Sequence, residues 1–125
     1  MKLRLIGYWE GPHAEGWPTA QNFVDPAQDR GDVRVICGYL EDGAVARKYR
    51  GLSKCRFCGE FVGSLERTDG VYIWPDGLAH YVREHSVRLP DEFLAHARRM
   101  GETLECAEIE TEWWRRQEGL DPDAA

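Results

Sequence analysis

Cys55 and Cys58 stand three positions apart in the run Cys55-Arg56-Phe57-Cys58-Gly59, and His80 and His85 stand five positions apart further along the chain. Two thiolates in a tight turn make a knuckle that grips a soft divalent cation, and a glycine just after the second lets the backbone reverse. Zinc takes four such ligands. A histidine pair at this spacing, on a helix that follows a hairpin, is a common source of the other two. The sequence therefore predicts one structural zinc ion held by Cys55, Cys58, His80 and His85. Once two sulfurs and two nitrogens fill the coordination sphere, no position is left for water or substrate, so such a site holds structure and does not catalyse.

Two features strain this expectation. Between Cys58 and His80 lie 21 residues, more than the dozen or so of DNA-reading fingers, so the hairpin must be long. A helix turns about 100° per residue, and five steps carry a side chain roughly 140° away, so His85 can join His80 on one metal only if the helix end tightens or unwinds. Redox chemistry is the rival use of Cys-x-x-Cys. It needs a strand running into the motif and a long helix starting at it, whereas Gly59, Gly63 and a hairpin pattern follow here. A bridge between Cys55 and Cys58 would close only a trivial loop.

The elements that must position these ligands can be read from periodicity. Leu3 to Trp9 is a candidate strand, stopped by Gly11 and Pro12, and the stretch to Gly31 reads as loop, with Trp17 and Phe23 as anchors onto the core. Asp32 is placed to cap a helix whose inner face is Val33, Ile36, Cys37 and Leu40, ended by Gly43. Val45 to Tyr49 suggests a short strand. Phe61 to Leu65 and Val71 to Trp74 suggest a hairpin closed by residues 66–70. After Pro75-Asp76-Gly77, Leu78 to His85 has helical spacing and carries both histidines. Leu89 and Pro90 open a further helix that packs through Phe93, Leu94 and Ala97. A last, acidic helix spans 102–118 with a narrow stripe of Leu104, Ile109 and Trp113, and the tail from Gly119 frays. The fold class expected is α+β: a single domain over 1–125, with a zinc-binding core at about 45–97 and added helices around it.

Composition bounds the function. The chain has 125 residues, 42% hydrophobic and 30% charged, with a net charge of −6, which suits a folded globular protein and disfavours one that coats nucleic acid through phosphate contacts. No apolar run approaches the roughly 18 residues of a membrane span, and the first residues lack a secretory signal's apolar stretch; with reduced thiols, this reads as cytoplasmic.

Charge is unevenly spread. Arg47, Lys48, Arg50, Lys54 and Arg56 crowd the approach to the knuckle, interleaved with Tyr49 and Phe57, whereas acids dominate after Met100. Cations and rings together are the equipment of a nucleic-acid surface, and equally of a solvated strand neutralised by the acidic C-terminal helix. Asp76 can cap the helix or orient a metal-bound imidazole. Tyr72, Trp74, Tyr81 and His85 can line an aromatic binding face or form a miniature core. His13, His96, Cys37 and Cys106 join no recognisable catalytic arrangement, and the two cysteines fall on helical faces as small buried residues.

The stretch from Tyr49 to Gly59, followed by Gly63-Ser-Leu-Glu-Arg-Thr-Asp-Gly-Val-Tyr-Ile-Trp-Pro-Asp-Gly-Leu-Ala-His-Tyr-Val-Arg-Glu-His85 and on to Phe93, resembles a group of small, uncharacterised bacterial zinc-finger-like proteins. They share the Cys-x-x-Cys-Gly knuckle, a Leu-Thr-Asp-Gly hairpin turn and a Trp-Pro-x-Gly-Leu-Ala-His-Tyr-Val-x-x-His helix. The resemblance covers roughly 33–97, departs at Arg67, where the group has an apolar residue, and implies the same four metal ligands but no activity. The function expected is a non-catalytic, zinc-structured module that binds another protein or regulates one, with nucleic-acid binding through the basic segment 47–56 as the alternative.

Overall fold

A computed structural model describes residues 1–12 and 14–118; His13, the tail from Gly119 and the side chains of residues 49–52, Tyr49 and Arg50 among them, lie outside the described residues. The architecture is mixed α+β, as the sequence predicts. Strands β1 (Arg4–Leu5), β2 (Ala44–Lys54), β3 (Phe61–Thr68) and β4 (Tyr72–Pro75) form one sheet in the order β1-β4-β3-β2. Helix α1 (Arg30–Glu41) lies between β1 and β2 in the chain, and α2 (Leu78–His85), α3 (Asp91–Glu105) and α4 (Glu112–Arg116) follow β4. Among the described residues no helix is long and apolar enough to cross a membrane.

The β3–β4 hairpin is tighter than the sequence suggests. Glu66, Arg67 and Thr68 belong to β3, paired with Pro75, Trp74 and Ile73. Side chains close the turn: Asp69 Oδ1 accepts the amides of Val71 (2.9 Å) and Tyr72 (2.8 Å), and Thr68 Oγ1 donates to the Tyr72 carbonyl at 2.6 Å, which is the local competition for backbone partners that favours Asp and Thr in turns. The β2 strand outruns its expected end at Tyr49 because β3 offers it a full antiparallel edge, taken up with register shifts between Val45 and Arg47 and again between Lys48 and Lys54. Conversely, β1 is only two residues, since it lies parallel to the short β4 and finds partners only in Tyr72 and Ile73.

One apolar core joins sheet and helices. Trp74 and Leu78 are wholly buried and pack with Leu40, Val82, Val87, Leu89 and Phe93. Ile36, Cys37 and Leu40 form the inner face of α1, with Val33 at its margin. Its cap is Asp29, which accepts the Asp32 amide, so Asp32 sits in the first turn and is not the cap. Either aspartate satisfies the local pattern; the one a turn earlier lets the helix start at Arg30. Phe23 packs on the core, but Trp17 stays 44% exposed, with its ring 5.9 Å from that of Tyr8.

The C-terminal third departs most from expectation. Phe93 and Ala97 are buried on α3 and Leu94 partly so, but α3 runs on through Gly101 to Glu105 and stops at Cys106, and α4 is a separate five-residue helix. A single helix over 102–118 does not form. Its intended stripe, Leu104, Ile109 and Trp113, advances by five and four residues and so drifts around the helix instead of holding one face. Cys106 is exposed, contrary to expectation, whereas Cys37 is buried and its thiol is pushed up by that burial.

Candidate metal centre

The knuckle grows from the end of β2. The Cys55 amide donates to the Glu60 carbonyl at 2.8 Å and the Gly59 amide to the Cys55 carbonyl at 2.9 Å, so the chain doubles back on itself around Arg56-Phe57-Cys58. Gly59 takes the left-handed backbone (φ +73°) that this reversal demands, and it is the conformation in which a Cβ is disfavoured. The Phe57 amide points at Cys55 Sγ, 3.4 Å away. At Cys58 the Glu60 amide favours the thiolate, but desolvation and the neighbouring Cys55 outweigh it and the thiol stands above its ordinary value. Two thiols held this close resist joint ionisation, and a divalent cation between them removes that resistance.

Across from the knuckle lies α2. Gly77 starts it, and a Cβ there would come within 2.5 Å of the Val62 side chain and 2.8 Å of its carbonyl; only glycine lets the helix begin this close to β3. Tyr81, buried on α2, is pinned to the knuckle because its hydroxyl accepts the Arg56 amide at 2.8 Å. Burial raises its pKa, with the Arg56 amide pulling the other way.

The end of α2 resolves the five-residue spacing. Ser86 is left-handed (φ 57°), and its amide turns back to the Tyr81 carbonyl, a widened i to i−5 turn. The Val87 amide reaches the same carbonyl at 3.2 Å, so two successive amides around the left-handed Ser86 converge on one carbonyl at the helix end. The last turn thus unwinds, as the histidine spacing requires, and His85 swings toward His80, with ring centroids 5.1 Å apart.

All four side chains converge: one donor atom from each of Cys55, Cys58, His80 and His85 lies within 4.8 Å of every other. The Cys58 Sγ to His80 Nε2 separation is 3.4 Å, against about 3.6 Å for the sulfur–nitrogen edge of a tetrahedron built on zinc bond lengths. His85 stacks on Phe57 at 4.8 Å and 20° between ring planes, which fixes its orientation. Its Nε2 is buried with no hydrogen-bond partner. A buried imidazole nitrogen without a partner is costly, and a cation at the centre of the four donors is the partner that this set provides for. The cluster is able to hold a metal ion.

No protein-family model matches the chain, and no curated protein or solved structure is significantly similar to it.

Other candidates fare differently. Asp76 neither caps α2 nor faces an imidazole: α2 has no side-chain cap, and Asp76 pairs with Arg67 Nε at 3.0 Å. Arg67 also donates to the Gly43 carbonyl at 2.9 Å, so it ties β3 to both the α1 end and the α2 start. Tyr72, Trp74 and Tyr81 are core residues and do not form an open aromatic face; His85 is half-buried. Of the basic segment, Arg47 pairs with Glu66 of β3 at 2.7 Å, and Arg56 donates to the carbonyls of Glu10 and Lys54. Among the described residues no carboxylate pairs with Lys48, Lys54 or Arg56. The Arg50 side chain lies outside the described residues.

One polar cluster is invisible in the sequence. Asp69 Oδ2 is hydrogen-bonded by the Tyr39 hydroxyl and lies 2.8 Å from His96 Nε2, so the hairpin turn is tied to α1 and α3 at once. The His96 and Asp69 side chains are only 13% and 9% exposed. Burial disfavours the Asp69 carboxylate, but hydrogen bonds from Tyr39, from the Tyr72 and Val71 amides and from His96 prevail and hold its pKa below the ordinary value. Burial and then the Asp69 carboxylate push the Tyr39 phenol up. No signal of spacing links residues 39, 69 and 96.

Because the Asp69 pKa is lowered on folding, its stabilisation is complete above its unfolded value and is lost as pH falls through the folded one. Asp69→Asn should lower stability at neutral pH by about 1–3 kcal/mol through the donors it leaves poorly matched. In urea titrations, the gap between variant and wild type should narrow once pH drops below the ordinary carboxylate value of 3.8. A gap independent of pH down to strong acid would contradict this role.

Proposed function

We propose that this protein is a zinc-structured, non-catalytic module that acts through contact with another protein. The buried, unpartnered Nε2 of His85 inside a Cys2His2 cluster carries the metal half of this reading. Zinc is the ion of choice for two thiolates and two imidazoles at tetrahedral spacing, since it has no geometric demand that this set fails to meet. Filled by four protein ligands, the ion has no vacant position for substrate, so its work is to clamp the knuckle to α2. Exposed Leu104, Ile109, Trp113 and Trp114 support the contact half, because large apolar and aromatic side chains outside the core are the material of interaction sites.

Cobalt substitution tests the metal reading. Tetrahedral Co(II) with two thiolates should give intense visible d–d bands and near-ultraviolet charge-transfer bands, both lost in Cys58→Ser. Weak octahedral bands would sink the assignment. A nucleic-acid role draws on Lys48, Lys54 and Arg56, which face no carboxylate among the described residues. It predicts binding to DNA or RNA that falls steeply with salt and that Lys48→Glu with Lys54→Glu weakens; absence of binding at low salt removes it.

A further inference from the structure

The segment from Leu104 to Trp114 is apolar, acidic and bare. Leu104, Ile109, Trp113 and Trp114 are 73%, 90%, 63% and 70% exposed, and the two indoles sit side by side with ring centroids 6.2 Å apart. Glu105 and Glu108, on the same stretch, have no cationic partner among the described residues, whereas Glu112 is taken by Arg115.

On the opposite chemistry, the chain between β1 and the 3-10 turn at Ala20–Phe23 frames a cavity of about 300 Å3, lined by Tyr8, Trp9, Trp17, Phe23 and Pro90, with Leu5 at its rim. Leu5 and Trp17 are 41% and 44% exposed. Tyr8, Trp9 and Trp17 are shared with an adjoining cleft of about 80 Å3 whose wall includes Lys54 and Arg56. Lys54 is exposed, its ammonium 5.3 Å from the centre of the Phe61 ring. The groove is therefore apolar and aromatic at its floor and basic at one side.

We propose that the C-terminal segment of one copy of this chain docks in the groove of a second copy. The indole of Trp113 or Trp114 enters the cavity against Trp17, and Glu105 and Glu108 face Lys54 and Arg56. Every copy carries both the segment and the groove, so a reciprocal exchange closes a two-fold dimer in which both contacts are made at once and no open filament grows. Charge complementarity selects the occupant: a groove whose wall is basic matches a segment whose apolar residues are interspersed with glutamates, and both lie on this one sequence. Exposed indoles then find the enclosed, ring-lined setting in which tryptophan contributes most to an interface. The inference deepens the protein-contact reading by naming the partner, and rests on that reading but not on the metal.

Sedimentation of the metal-loaded full chain across micromolar to millimolar concentrations supplies the test, with metal content measured on every variant. A reversible dimer is expected, weakened at least tenfold by Trp113→Ala with Trp114→Ala. Charge exchange gives the sharper result. Chains with Lys54→Glu, and chains with Glu105→Lys and Glu108→Lys, should each fail to self-associate yet pair with one another when mixed, because only the mixture restores opposite charges at both contacts. A chain that stays monomeric at every concentration overturns the proposal, as does a dimer indifferent to these changes or one in which the mixture fails to pair. If the metal content stays at one per chain in such a case, the docking surface has failed and the zinc reading stands.

Discussion

Replacing Cys55 by Ser, or His85 by Ala, is expected to lower the melting temperature by about 15 °C, the shift that a loss of about 4 kcal/mol gives a domain of this size. Structural zinc contributes on the order of 10 kcal/mol to isolated finger peptides, and whole domains are stable by only about 5–15 kcal/mol, so even a partial loss of coordination is a large fraction of the total. The knuckle has little else to hold it. Cys58 and Glu60 are exposed and Phe61 is 61% exposed; besides the four donors, the Arg56–Tyr81 hydrogen bond and the contacts of the Phe57 ring with His85 and Tyr81 tie it to α2. A strong chelator should therefore bring the wild type down to the melting temperature of the variants, and should speed amide exchange over 53–61 before it does so in α1. Cys106→Ser is the control, since that thiol is exposed and lies off the cluster; it should leave melting unchanged.

Trp74→Ala is expected to be the most damaging change away from the metal. The indole is completely buried, lies against Tyr39 and Phe93 with ring centroids 6.2 and 5.9 Å away, and donates from Nε1 to the Leu40 carbonyl at 3.1 Å. Truncation of a buried aromatic costs about 3–5 kcal/mol through lost burial and the cavity left behind, and it removes the indole donor from the Leu40 carbonyl, which keeps the Gly43 amide at 3.4 Å. Trp74→Phe restores much of the apolar contact but not the donor, and should recover roughly half of the loss. Urea denaturation of the three proteins gives the order; equal stability of the Phe and Ala variants would show that the hydrogen bond and not the packing dominates. Metal content should remain one per folded chain in both, because the ring and hydrogen-bond partners of Trp74 are Tyr39, Phe93 and Leu40 and include none of the four donors.

The parts of the molecule that were legible in the sequence are those whose physics is local. Ligand identity and spacing mark Cys55, Cys58, His80 and His85, since a metal site is specified by residue type at short range, and Pro75-Asp76-Gly77 fences α2 so sharply that its observed limits, Leu78–His85, match the expected ones. The inner face of α1 follows from period alone, though its cap does not: Asp29 and Asp32 are a turn apart and both chemically able, and the choice is made by where the helix meets the loop before it. The need for an unwound α2 end was readable from the histidine spacing; that Ser86 would supply it in left-handed form was not.

What escaped the sequence depends on contacts between distant residues. Tyr39, Asp69 and His96 come together only because the hairpin turn lands between α1 and α3. Asp76 is taken by Arg67, a cross-strand neighbour's reach that no helix-cap pattern reveals. Arg47 of the basic segment likewise pairs with Glu66 on the adjacent strand and not with the C-terminal acids. In the C-terminal region α3 runs on through Gly101 to Glu105, since a glycine costs a helix only about 1 kcal/mol, less than the packing of Phe93 and Ala97 contributes.

The zinc content of the chain purified without chelator addresses the central claim most directly. Elemental analysis of cooperatively folded protein should return one zinc per chain, falling together with the melting temperature when Cys55, Cys58, His80 or His85 is replaced. A chain that folds cooperatively and melts at the same temperature with no stoichiometric metal would contradict the account, whatever the four side chains are doing near one another.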